Sequence, residues 1–175
     1  MSIETFADWT VSLVSDYLYG GIFIAALLET VFPPIPSEVI FPLAGFVASQ
    51  NNLSFVHVIG LGIVGAAGST VGALLIYIIS LKLGRVALLR YLKYARITEE
   101  HLDKVDRWFM KYGEKVVFFG RMVPGIREIV SIPAGVLKMR IDKFMIFTFA
   151  GSCIWSVSLS FAGYYFGVAS INLFG

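Results

Sequence analysis

Two stretches decide the fold of this chain: ETVFPPIPSE at residues 29–38 and GRMVPGIRE at residues 120–128. Each breaks an apolar segment with proline and carries charged residues where the neighbouring sequence predicts membrane depth. The first contains two acids, whereas the second contains mainly arginine. A charge inside a bilayer is costly, so it is normally kept only where it faces a partner, a cavity or a substrate pathway. We therefore expect a functional site at these stretches.

The composition is that of an integral membrane protein. Apolar residues make up 57% of the chain, and its mean hydropathy is +0.79, both far above the values of a soluble domain. The 175 residues are enough for one compact membrane domain, and the net charge of +2 is too small to indicate a nucleic-acid partner. We expect a single all-α membrane domain over residues 1–175.

Only two segments are long and apolar enough to span a bilayer as a helix, residues 57–81 and residues 144–169. The apolar pieces in residues 20–49 and 116–137 are half as long and are joined by proline and glycine. Such pieces predict re-entrant helical hairpins, which enter the membrane and return to the same side. Proline leaves backbone groups unpaired, and these must face protein or water rather than lipid.

The basic residues predict the orientation. They are frequent in residues 82–115 and again just before the second span, so both regions are expected to be cytoplasmic. The uncharged loop at residues 50–55 and the acidic N-terminus are placed outside. The two hairpins would then enter from opposite sides and face each other as an inverted repeat, an architecture of secondary transporters. A weak sequence similarity between PLAG at residues 42–45 and PAG at residues 133–135 supports this repeat.

Two amphipathic segments complete the predicted organisation. Residues 1–19 have the pattern of a surface helix. Within residues 82–115, Thr98 can cap a second helix, whose apolar face would contain Leu102, Val105, Phe109 and Tyr112. An interfacial position at the membrane would suit both segments.

Over roughly residues 20–168 the chain resembles the DedA membrane proteins, whose shared domain also occurs in eukaryotic lipid scramblases. The most specific part is GRMVPGIR at residues 120–127 followed by PAG at residues 133–135. The resemblance implies two facing re-entrant hairpins and transport of lipid phosphates, undecaprenyl phosphate in bacterial members and phospholipids in others. The residues that match the family's hairpin positions are Glu29, Pro33, Pro36, Glu38 and Gly45 in the first, and Gly120, Arg121, Pro124, Gly125, Arg127, Pro133 and Gly135 in the second.

The arginines are the candidate phosphate ligands. A guanidinium is always charged, and its planar fork of donors suits phosphate oxygens. We expect Arg121 and Arg127 to hold the head group, with a break at Pro124 and Gly125 letting both reach one cavity. The alternative is that they only extend to the cytoplasmic surface or pair with Glu128.

The acids Glu29 and Glu38 are the candidates for proton coupling. A carboxyl in a low-dielectric hairpin can load and release a proton, or pair with an arginine when no lipid is bound. Glu38 also has a structural interpretation, because Ser37 can cap a helix whose first turn favours an acid. The two histidines, His57 and His101, are too isolated to indicate a metal site.

The leading functional prediction is a non-enzymatic translocase of a phosphate-headed lipid, multi-pass in the cytoplasmic membrane and driven by a proton or sodium gradient, with no cofactor. Three alternatives remain open: an ion-coupled carrier of small anions, a membrane lipid phosphatase, and a scaffold. The phosphatase is disfavoured because the arginine stretch has no neighbouring histidine and the chain has no phosphate-binding loop motif. The oligomeric state, a homodimer included, is left open by the sequence.

Overall fold

The computed structural model describes the backbone of residues 19–31, 37–92 and 99–174, and most of the side chains within these ranges. The predicted surface helix at residues 1–19, except Tyr19, and the predicted hairpin residues Pro33 and Pro36 lie outside this part of the chain, as does Thr98. The described residues form eight helices: α1 (Tyr19–Val31), α2 (Ser37–Gln50), α3 (Phe55–Leu92), α4 (Glu99–Tyr112), α5 (Lys115–Gly120), α6 (Ile126–Ile129), α7 (Ser131–Val136) and α8 (Ile141–Phe174).

The two long helices, α3 and α8, form an antiparallel pair at the centre of the fold. Near the start of α3, the ring of Phe55 lies 5.3 Å from that of Tyr164, whereas further along α3 Tyr77 stacks on Phe144 at 4.6 Å. The segments Phe55–Leu83 and Ile141–Gly167 are long and apolar enough to cross a membrane. The predictions of an all-helical chain and of two long apolar helices are confirmed for the described residues.

The first hairpin, α1 with α2, bridges the two long helices. Helix α1 packs on α3, where Gly68 and Gly72 admit its backbone, and α2 packs on α8. A Cβ added at Gly163 would collide with the carbonyl group of Pro42, and one added at Gly45 with that of Ser160. These small residues bring the helix backbones together, which is the usual means of packing helices in lipid.

The second hairpin, α5 to α7, bridges the same two helices from their other end. Helix α5 packs on α8 and α7 packs on α3. Gly151 receives the backbone of Phe118, and Gly135 approaches the backbone of Tyr77 so closely that no side chain would fit. The hydroxyl of Tyr77 also donates a hydrogen bond to the carbonyl of Met139, just after α7. The second hairpin is therefore anchored at the end of the α3–α8 pair opposite to the first.

Helix α4 covers the second hairpin with one face. Val105 and Phe109 are buried in the apolar cluster that contains the hairpin residues Val117 and Val130, as the predicted amphipathic pattern requires. Tyr112, predicted on the same face, is instead exposed. The reason is its place at the last residue of α4, directly before Gly113, whose φ of +63° turns the chain into α5.

Candidate functional site

A buried ion pair joins the two hairpins. Arg127, in the short helix α6, places its Nη2 atom 3.2 Å from Oε1 of Glu29, near the end of α1. The side chains are only 3% and 0% exposed. Opposite charges attract strongly where water is excluded, and the pairing offsets part of the cost of removing each charge from water. The structure therefore brings together one predicted arginine and one predicted acid.

Ser37 strengthens this junction as the first residue of α2. Its Oγ accepts a hydrogen bond of 2.6 Å from Nη1 of Arg127 and a longer one of 3.4 Å from Nε1 of Trp155 in α8. Arg127 thus uses two nitrogens of its fork on two different helices of the first hairpin. A planar guanidinium can make both contacts at the same time, because two of its nitrogens point in fixed directions. The ammonium group of a lysine is a point charge and lacks this fork.

Trp155 covers the same guanidinium with its ring. The Cζ atom of Arg127 lies 5.8 Å from the ring centroid, within the range of a cation–π contact. The site thus has a carboxylate, a hydroxyl and an aromatic face around one buried cation. Three helices, α1, α2 and α8, contribute to it, so any relative movement of the hairpins changes the surroundings of Arg127.

Arg121 occupies a second buried position, directly after α5. Its Nη2 donates a hydrogen bond of 2.9 Å to Oγ of Ser131, within the same hairpin, and its side chain is 1% exposed. The aliphatic part packs against Gly151 of α8, where an added Cβ would lie 2.8 Å from Cβ of Arg121. Both arginines are therefore inside the fold, and neither extends to its surface.

The backbone between these arginines turns at the predicted break. Helix α5 ends at Gly120 and α6 begins at Ile126, with Gly125 between them at φ +74°. An L side chain rarely adopts this conformation, so glycine permits the turn. Pro124 is exposed beside it. Pro133 lies in the first turn of α7, where its missing N–H costs no helical hydrogen bond.

The structure separates the two predicted acids. Glu29 is buried next to Arg127, whereas Glu38 is exposed and accepts a hydrogen bond of 3.4 Å from the hydroxyl of Ser37. The position of Glu38 in the first turn of α2 fits its structural interpretation. Among the described residues, no three His, Cys, Asp or Glu side chains come together as a metal site would need.

Sequence reasoning missed Trp155 and Ser131 as site residues and treated Ser37 only as a helix cap. Trp155 lies in a long apolar helix, where an aromatic residue carries no distinguishing signal. Ser131 lies four positions after Arg127 and is the one polar side chain within residues 129–137, which is a weak sign of a buried partner. Their contacts with the arginines depend on how the hairpins pack.

Comparisons with known proteins give one family. The VTT domain matches residues 35–165 of the chain, which include α2, α3, the arginine stretch and most of α8. No solved structure matches.

Several curated proteins are similar over most of their length. The chain is 35% identical to "Undecaprenyl phosphate transporter A" of Bacillus subtilis (strain 168) over 163 residues, covering 89% of this chain and 79% of that protein. The protein of the same name from Staphylococcus aureus (strain NCTC 8325 / PS 47) is 33% identical over 154 residues, 86% of this chain and 74% of the relative. An "Alkaline phosphatase-like protein" of Lactococcus lactis subsp. cremoris (strain MG1363) is 35% identical over 154 residues, 85% and 71% of the two chains.

Proposed function

Because the chain belongs to the VTT domain family, the DedA membrane proteins, we propose that it transports a phosphate-headed lipid across the cytoplasmic membrane. Undecaprenyl phosphate is the first candidate substrate, since two similar proteins carry that substrate in their names. The observation that carries the proposal is the buried pair of Arg127 and Glu29 between the two hairpins. A cation held at such a place is suited to binding an anionic head group away from water.

The head group replaces the carboxylate of Glu29 at Arg127. A phosphate offers several oxygens to the guanidinium fork, and charge-assisted hydrogen bonds of this kind are the strongest that a protein makes. Ser37 and Trp155 contact the guanidinium in addition to Glu29, so they keep it oriented while the carboxylate is exchanged for phosphate. Arg121 serves as the second phosphate ligand in this mechanism, after a shift of the loop that joins α5 to α6.

Protonation of Glu29 couples transport to a proton gradient. A neutral carboxyl holds Arg127 far less strongly than a carboxylate does, so protonation favours release of the arginine to the substrate. Loss of the proton on the other side restores the pair and expels the phosphate. We assign this role to Glu29 rather than to Glu38, because Glu29 is buried against Arg127 whereas Glu38 is exposed in the first turn of α2.

The packing supports two re-entrant hairpins arranged as an inverted repeat. In each unit the first leg packs on the long helix that follows it in sequence, α1 on α3 and α5 on α8, whereas the last leg packs on the other long helix. Exchanging the two units leaves this set of contacts unchanged. Rocking of one unit against the other would open the Arg127 site to either side in turn, as in inverted-repeat transporters.

The test measures leaflet exchange of fluorescent undecaprenyl phosphate in liposomes with and without a pH gradient. We expect transport by the wild type to follow the gradient, Arg127→Ala to abolish it, and Glu29→Gln to remove its dependence on the gradient. Arg140→Ala is the matched control, because Arg140 pairs with Asp142 on the surface, where the side chains are 71% and 53% exposed. Transport by Arg127→Ala at the control rate would contradict the proposal.

Hydrolysis is a second candidate, favoured by the name of the Lactococcus lactis relatives. The same liposomes distinguish it, since a phosphatase releases inorganic phosphate whereas a transporter leaves the lipid intact. If free phosphate appears with the wild type but not with Arg127→Ala, the proposed function is hydrolysis instead of transport.

A further inference from the structure

An apolar groove lies between α4 and the second hairpin, outside the Arg127 site. Its cavity volume is about 600 Å³, within the range of pockets that enclose a small organic molecule. One wall comes from the end of α4 and the other from α5 and the loop after it. The side chains that line it are Trp108, Tyr112, Lys115, Val116, Phe119 and Val123.

The groove presents its apolar side chains outward. Phe119 is 61% exposed, Tyr112 is 56% exposed and Val123 is 39% exposed. Contiguous exposed apolar surface of this kind marks a place where another apolar group binds. Val105 and Phe109, one turn away on α4, are buried against the hairpin, so the groove is an opening beside a well-packed contact.

Lysines surround the aromatic walls. Lys104 places its ammonium group 5.5 Å from the ring centroid of Trp108, Lys111 is 5.1 Å from that of Tyr112, and Lys115 lines the cavity itself. The groove is thus apolar inside and has three ammonium groups at its edge. This combination is complementary to an apolar chain with an anionic head and disfavours a neutral hydrocarbon or a cationic lipid.

The groove is continuous with the backbone that carries the arginines. Gly120, which also lines the cavity, directly precedes Arg121, and the carbonyl group of Val123 accepts the backbone N–H of Arg127 at 3.0 Å. An occupant of the groove therefore contacts the same loop that positions both guanidinium groups. Its apolar chain and its head group can be held by neighbouring parts of one hairpin.

We infer that this groove binds the hydrocarbon chain of a phosphate-headed lipid in the leaflet on the α4 side, when the head group is exchanged between that leaflet and Arg127. This rests on the proposed function for the identity of the head group. The lysines select the anionic lipid at the edge, and the aromatic walls hold its first isoprenoid or acyl segment while the head group moves between the edge and Arg127.

The test uses a polyprenyl phosphate with a diazirine in its chain, photo-crosslinked to the purified full chain in detergent micelles and mapped by mass spectrometry. The matched ligand is the corresponding polyprenol without phosphate. We expect labelling at Trp108, Tyr112, Phe119 and Val123, several-fold stronger with the phosphate than with the alcohol. Equal labelling by the two ligands, or labelling spread over outward residues of α3 and α8 such as Ile63 and Ile146, would overturn the inference.

A groove-filling variant gives a second readout. Val123→Trp should lower labelling by about tenfold, the effect of removing roughly two methylene groups from apolar contact. Met110→Trp is the control, because Met110 is 78% exposed on α4 and does not line the cavity. Unchanged labelling in Val123→Trp would place the lipid elsewhere. Groove labelling by a protein that fails the liposome assay would contradict transport but leave the groove assignment standing. Transport without groove labelling would support the transport proposal and contradict the groove assignment.

Discussion

At the scale of single residues, Arg127 has the most demanding position in the molecule. Its guanidinium contacts Glu29, Ser37 and Trp155, so its two terminal nitrogens and one of its faces have partners of different chemistry. A buried cation with such a set of neighbours is stable only while the neighbours stay in place. This makes it suitable as a group whose partner is exchanged during a transport cycle.

Arg127→Lys should reduce the initial rate of lipid transport by about ten- to a hundredfold, the equivalent of one or two charge-assisted hydrogen bonds. The charge remains, but an ammonium cannot contact Glu29 and Ser37 with the geometry of the fork. Rates measured in liposomes at matched protein content check this, with Arg140→Lys as the control. A rate equal to that of the wild type would show that charge alone is sufficient.

Glu29→Gln should destabilise the fold by about 3 kcal/mol, because it leaves the buried charge of Arg127 without its carboxylate. Glu114→Gln is the comparison: Glu114 pairs with Lys143 at 2.6 Å, but those side chains are 36% and 44% exposed, and an exposed pair contributes at most about 1 kcal/mol. Unfolding in mixed micelles gives both values. The double variant Glu29→Gln with Arg127→Gln should recover stability, and no recovery would contradict a charge-based explanation.

At the scale of elements, the hairpins depend on glycines at their contacts with the long helices. Gly163 and Gly45 bring α2 and α8 into backbone contact, and Gly68 does so for α1 and α3. Close approach of this kind gives dispersion contacts over the whole length of a short leg. It also fixes how far each leg extends along the long helices, and therefore the position along the α3–α8 pair at which Glu29 and Arg127 meet.

Gly163→Ala should lower stability by about 1–3 kcal/mol, the usual cost of overpacking, because its new Cβ has no room next to the carbonyl of Pro42. Ala162→Leu, which adds more atoms at the exposed neighbouring position of α8, should change stability little. Thermal unfolding in detergent compares the two. If Ala162→Leu is the more damaging substitution, contact between α2 and α8 is looser than the structure indicates.

At the scale of the whole molecule, the first hairpin lies at one end of the α3–α8 pair and the second hairpin at the other end. The buried ion pair lies between the two hairpins. In the proposed mechanism, this arrangement gives the Arg127 site access to either side of the membrane in turn. Outward-facing apolar side chains, such as Ile63 and Leu75 on α3 and Ile146 and Ile154 on α8, cover the flanks of the pair. These flanks are the surface that we expect to face lipid.

Cysteines at the two ends should react from opposite sides of the membrane. Gln50→Cys and Arg140→Cys are suitable because both residues are exposed, and Cys153→Ala provides a background without other thiols. With a membrane-impermeant maleimide on intact cells, we expect Gln50→Cys to be labelled and Arg140→Cys to be labelled only after permeabilisation, as the basic residues of the second region indicate. Labelling of both in intact cells would exclude the inverted arrangement.

The helices follow largely from local sequence. Composition and segment length predict the two long apolar helices within residues 57–81 and 144–169, because the count of apolar residues per segment is a local property. Proline and glycine predict the break between α5 and α6, since they act on the backbone of their own neighbourhood. The burial of Arg121, Arg127 and Glu29 was also predictable, from charges inside apolar stretches, whereas the same argument applied to Glu38, which is exposed.

Only the tertiary structure decided which of these charges meet. Local sequence offers Glu38, but not Glu29, a structural position at the start of a helix, yet it does not reveal that Glu29 is buried against Arg127. Ser37 contacts Arg127 across a separation of 90 residues, and Trp155 reaches Ser37 across 118. Such contacts depend on the depth and rotation of whole hairpins, which are set by close packing at glycines on other helices. The chemical groups of the site can therefore be identified from the local sequence, whereas the contacts between them depend on the assembled fold.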